Sequence, residues 1–243
     1  MKKTLLIILF VLTSGIIIYN FQTQKEKTKI VNDELIVDNS KNEKEIYNVA
    51  YSASYAFNCQ DLDKMYTNHE YIAIIRVDEV NEATTYREKT NQYIMPYTPG
   101  KATIIKALKG TFSSNKITFL RLGGTVSFAE YLKSLYPTER AKITRLMGEK
   151  DTSNLYVNNT SRDDITIEKG KTYLVYMNRS DDFHSSNEYS IEAFEYGLRE
   201  IKHDQKTLDQ ITIKNNKTGS YEPLKKAISK KILPKFTSNT ESI

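Results

Sequence analysis

The residues able to do chemistry are few and scattered. The 243-residue chain has three histidines, His69, His184 and His203, and one cysteine, Cys59. None of the histidines has a second His or Cys at ligand spacing. Tetrahedral metal sites draw three or four such ligands, so no metal site is expected. Asp181-Asp182 with Ser180 and Asn187, and Asp163-Asp164 near Asn158 and Asn159, make oxygen-rich stretches. They lack the D-x-D-x-D-G spacing of a calcium loop and read as solvated loop acids. No G-x-S-x-G elbow, S-x-x-K pair, P-loop or G-x-G-x-x-G is present, so neither a serine nucleophile nor a phosphate cradle is indicated, and no cofactor is expected. A single cysteine cannot close an internal disulfide, and Cys59 beside Phe57 reads as a small buried residue.

Two sets of side chains remain. The first is aromatic. The chain has 17 Tyr and no Trp, and the connection from Asn81 to Gly100 holds Tyr86, Tyr93 and Tyr97 together with Met95, Pro96 and Pro99. Tyrosine offers contact area and a polar tip at low entropy cost, which makes these three the candidate binding residues. A loop of this length is either functional or conceals irregular strand, and packing against the rest of the domain is the competing reading. The second set is acidic: Asp181, Asp182, Glu192 and Glu195 could serve a hydrolase. Glu192 and Glu195 lie among Ile191 and Ala193 and equally suit the solvent face of a strand.

The elements that must position these residues follow from hydrophobic pattern. Met1-Lys2-Lys3 precedes an uncharged apolar run, Leu5 to Ile18. As a helix, residues 4–21 would span about 27 Å, just enough to cross a bilayer. No small-x-small site follows, so residues 1–21 are expected to remain as an anchor, with a cleaved signal as the alternative. Residues 22–50 are polar and read as a tether. The main domain is expected over 51–204 and a C-terminal extension, with a short strand and an amphipathic helix, over 205–243. Within the domain, Asp61 to Thr67 reads as a short helix with Leu62, Met65 and Tyr66 inward. Tyr71 to Val80 reads as a long strand. Ala102–Leu108 and Ile117–Leu122 read as a hairpin around Ser113-Ser114-Asn115, ended by Gly123-Gly124, whose dihedral freedom lets the chain leave the sheet sharply. Ser127 with Glu130 marks a helix start, and Pro137 divides that helix from a second. Glu149 to Glu168 reads as loop, Thr172–Met177 as a fourth strand and Glu188–Tyr196 as a fifth.

Three strands, a helix and two more strands is the plan of a five-stranded OB-like barrel, giving a mainly β fold with helices. The Val-bearing first strand, the "KALKG" strand end, the "LGG" exit and the "KGKTYLVYM" strand resemble secreted or surface-anchored bacterial proteins with such a barrel. The same barrel underlies the tissue-inhibitor-of-metalloproteinase and netrin modules. The resemblance spans Leu62 to Ile201 and implies a binding scaffold. It departs from the metalloproteinase inhibitors at the N-terminal cysteine that chelates their target's metal, since this chain has Met1 and an apolar segment there. The expected function is a non-catalytic, membrane-anchored extracellular module recognising a protein or a cell-envelope polymer. An envelope hydrolase and a nucleic-acid-binding domain are the alternatives. The formal charge of only +5, from 35 basic and 30 acidic residues, speaks against nucleic acid.

Overall fold

Strand β2 (Tyr71–Val80) carries the logic of the molecule, because it is buried on both faces from Ile72 to Ile75 and on one face afterwards. The structure, a computed structural model, describes residues 44–51, 54–88, 90–161, 164–180, 187–202 and 210–227. The expected anchor, residues 22–43 of the expected tether, and Asp163, Asp181, Asp182, His184 and His203 lie outside the described residues.

The fold is mainly β with a few short helices, and five strands close into a barrel. β2 pairs with β4 (Gln92–Lys109), β4 with β5 (Lys116–Leu122), β5 with β9 (Glu188–Ile191), β9 with β8 (Thr172–Arg179), and β8 returns to β2. Only the β5–β9 pair is parallel among these. Residues of one parity point inward. Ala73, Ile75, Val77, Ala102, Ile117, Phe119, Tyr173, Val175, Met177, Tyr189 and Ile191 fill the interior, as the two-residue period of strands requires. The opposite face of β2 and β8 carries Ile72, Ile74, Leu174 and Tyr176. It is covered by Met65 of α1 (Leu62–Asn68), by Cys59, and by Ile213 of β11 (Thr212–Lys214). Two covering layers explain why these strands read as continuous apolar runs rather than alternating ones.

A third cluster lies in a small separate sheet. β1 (Glu45–Tyr51) pairs in parallel with β7 (Leu155–Ser161), which pairs with β6 (Gly124–Ser127). Leu155, Val157 and Phe128 pack there with Tyr47, Val49, Leu132, Ile143 and Met147. The helices α2 (Phe128–Ser134) and α3 (Pro137–Met147) supply part of that cover. Ser127 caps α2 by accepting from the Glu130 amide, and Pro137 opens α3 at its first position, where a missing N–H costs nothing.

Several expectations are corrected. Glu149 to Glu168 is not all loop. Leu155–Ser161 alternates buried and half-buried residues, but its buried set includes Asn159 and Ser161, so the pattern reads as polar. Paired structure begins at Glu45 rather than Tyr51, because a polar edge strand needs only one apolar face, here Tyr47 and Val49. The hairpin exists, but β5 pairs with Tyr97–Thr103, while the stretch to Lys109 pairs with β2. The fifth strand stops at Ile191 and gives way to a single helical turn, α4 (Phe194–Gly197), then β10 (Leu198–Glu200) on β8. Of the expected C-terminal extension, Ile211, Ile213 and Leu224 join the cluster on the outer barrel face. β12 (Tyr221–Pro223) pairs with β11, and α5 (Leu224–Ala227) follows.

Candidate functional site

The long connection Asn81 to Gly100 is strand for most of its length. β3 (Thr84–Arg87) folds back on β4, with Tyr86 opposite Tyr93 and Thr84 opposite Tyr97. The register shift between those pairs marks a bulge around Ile94 to Pro96. The hairpin is latched to α2 by one carboxylate. Glu130 Oε1 accepts from Thr84 Oγ1 and from the Thr85 amide, each at 2.7 Å.

The structure therefore separates the three predicted tyrosines. Tyr97 is 7% exposed, its hydroxyl donates to the Tyr86 carbonyl at 3.0 Å, and burial pushes its phenol up against the opposing charge of Arg87. It is a packing residue. The Tyr86 and Tyr93 rings lie against each other, tilted by 46° with centres 5.1 Å apart, and the Tyr86 hydroxyl donates to Asn91 Oδ1. Lys133 Nζ sits 5.3 Å from the Tyr93 ring centre. Tyr93 is still 42% exposed and Met95 47%, so the tip of the hairpin presents apolar area. Leu122, opposite Tyr97 on β5, adds to the exposed apolar area at 38%. Met95 and Leu122 belong to this surface, although neither carries a chemical signal in the sequence.

A second feature involves one of the predicted carboxylates. The turn from β9 into α4 is strained: Ala193 has φ 60° and ψ 23°, and Phe194 has φ 44°. Left-handed non-glycine residues cost on the order of 1–3 kcal/mol each. The turn then closes so tightly that a Cβ on Gly197 would lie 1.6 Å from the Glu192 carbonyl oxygen, which only glycine permits. What the strained turn positions is Glu195. Its side chain is turned inward, the residue is 7% exposed, and Oε2 accepts from the Tyr55 hydroxyl at 3.0 Å. Burial first, and then the charge of Glu195, push the Tyr55 phenol up; the same two causes push the Cys59 thiol up to about 11. Glu195 borders a cleft of about 260 Å³ formed with Gln60, Arg199, Asn216, Lys217 and Lys226. These residues come from three distant stretches of chain, so no local pattern announces the cleft.

Glu192 lies outside that lining. Glu195 accepts from the Tyr55 hydroxyl, and Glu222, 3.7 Å from Arg199, lines the same cleft. Among the described residues, no three His, Cys, Asp or Glu converge where they could hold a metal ion. His69 is buried, with Nδ1 2.7 Å from the Met65 carbonyl, and Cys59 is buried as expected. Among the described residues, no helix is long and apolar enough to cross a membrane. No protein-family model matches the chain, and no curated protein matches it.

Proposed function

We propose that this chain is a non-catalytic binding module, held outside the cytoplasmic membrane by residues 4–21, that grips a protein or an envelope polymer through the tip of its β3–β4 hairpin. The observation that carries the reading is the exposed apolar tip, Tyr93 and Met95, on a hairpin fixed to α2 by the Glu130 latch. Exposed aromatic area on a braced element binds at small entropic cost. We read the barrel as OB-type. In support, its strands lie in the order first-second-third-fifth-fourth, and α2 and α3 fall between the third and fourth. In such barrels the connection between the first two strands commonly borders the ligand. Here that connection is the tyrosine hairpin. The netrin-type resemblance points the same way. The reading does not extend to nucleic acid, because Lys133 and Tyr86 already occupy the surroundings of the Tyr93 ring, where a base would stack.

The test uses tagged full-length chain, expressed at its native location, crosslinked to and purified with its envelope partners. Replacing Tyr93 and Met95 together by Ser is expected to lower recovery of the specific partner at least about fivefold, a loss of roughly 1 kcal/mol or more. Equal recovery with both versions would sink the assignment. The membrane part is checked separately: the chain should resist alkaline extraction from membranes and lose that resistance when residues 1–21 are removed.

A further inference from the structure

The cleft beside the strained turn has an electrostatic pattern that the protein itself leaves incomplete. Two acids line it. Glu222 is matched, 3.7 Å from Arg199 Nη1. Glu195 has no ion pair among the described residues: Tyr55 donates to Oε2, and no donor reaches Oε1. Of the lining cations, Arg199 is taken by Glu222, and Lys217 Nζ lies 5.4 Å from the Tyr196 ring centre. Lys226 has no acceptor among the described residues, and it does not reach Glu195. Asn216 is bonded to the backbone around α4 and β10. Its Nδ2 donates to the carbonyls of Glu195 and Leu198 at 2.6 and 2.8 Å. Both partners are acceptors, so the orientation of the amide is settled, and the buried Oδ1 is left without a donor.

The cleft is thus lined by one anion, Glu195, without an ion pair and by one exposed cation, Lys226, without an acceptor among the described residues. Glu195 is largely buried, yet its second oxygen is not sealed off from solvent, which leaves it open to a positive donor in the cleft. We propose that the cleft binds a small zwitterion, a free α-amino acid, with its ammonium on Glu195 and its carboxylate toward Lys226. The volume, about 260 Å³, is just below the ~300–1,000 Å³ of sites that take drug-sized molecules and suits a ligand of this size. A purely anionic ligand would meet Glu195 unscreened, and a purely cationic one would face three basic side chains. The backbone strain at Ala193 and Phe194 is what holds Glu195 inward instead of in solvent. This site is separate from the hairpin tip, and its test is independent of the hairpin's.

The experiment is saturation-transfer NMR with calorimetric titration on purified full-length chain in detergent, using the common α-amino acids in both enantiomers. At least one should bind saturably. Its N-acetylated form, which lacks the ammonium, and its amide, which lacks the carboxylate, should each bind at least about tenfold more weakly. Glu195→Gln keeps the shape and the Tyr55 bond and should weaken the free amino acid about tenfold, and Lys226→Met should do likewise, with unchanged melting temperatures. Should Glu195→Gln melt early, the acetylated ligand tests the same contact on the unaltered protein. No saturable binding by any amino acid, binding that survives N-acetylation, or a response to calcium chloride in place of amino acids would each overturn the proposal.

Discussion

His69 shows how far a single side chain can be read once its surroundings are known. It sits under the rings of Phe57 and Tyr176 at the end of α1. The Met65 carbonyl can only accept, so Nδ1 carries the proton and Nε2 is bare in the neutral ring. Burial holds the imidazole below its ordinary range; the Met65 carbonyl and the charge of Glu192 oppose this, and Lys109 adds to it. The unfolded chain therefore binds the proton more readily than the folded one. The stability this residue contributes is complete above the ordinary value near 6.5 and is lost as pH falls through that value toward the folded one. Urea midpoints measured at pH 7.5 and 5.5 should fall across the interval, and His69→Phe should flatten the fall. An identical slope in the variant would show that other groups carry it.

At the scale of elements, the end of the barrel is closed by a charge pair that strand pattern alone would not allow. Arg121 has the parity of Ile117 and Phe119 and so projects into the barrel from β5. Its guanidinium donates to the Asp164 carboxylate and to the Ile165 carbonyl, and both partners of the ion pair are about 95% buried. Burial pushes the Asp164 carboxyl up, while the Arg121 guanidinium opposes it. Removing one member of such a pair leaves the other uncompensated. Arg121→Met should cost about 3–5 kcal/mol, whereas Arg121→Met with Asp164→Leu should recover most of that loss. Chemical denaturation of the two variants decides it. If the double variant were as unstable as the single one, the pair would contribute by itself and not merely compensate for burial.

For the molecule as a whole, the outer sheet is tied to the barrel mainly through β6 and α2, while β1 pairs as a strand with β7 alone among the described residues. β1 brings Tyr47 and Val49 to the third cluster, and the Asn48 and Asn158 side chains bond across the strands at 2.9 Å. A chain lacking residues 44–51 should keep the barrel and lose order locally. Hydrogen exchange is expected to speed up in β7 and β6 with little change in β2, β4 and β8. Uniform loss of protection would mean that the three clusters fold as one unit.

Strong local patterns were legible without any structure. Tyr71–Val80 announces itself by β-branched residues, Ser127 and Pro137 mark helix starts through backbone hydrogen-bonding rules, and the two glycines at 123 and 124 take φ of 98° and 138° at the predicted exit. Together they sufficed for a mainly β fold with a five-stranded barrel. The tertiary structure decided what depends on distant partners. Leu155–Ser161 is a strand because β1 and β6 pair with it from 110 and about 30 residues earlier in the chain, although half its buried side chains are polar. The tyrosine connection divides into a buried Tyr97 and an exposed Tyr93 because α2 returns to cover one end of the hairpin, and no local period encodes that return. Glu192 and Glu195 look alike in the chain. Only the left-handed turn between them, held against Gly197, turns Glu195 alone into the cleft, since a backbone reversal overrides the alternation that a strand would have imposed.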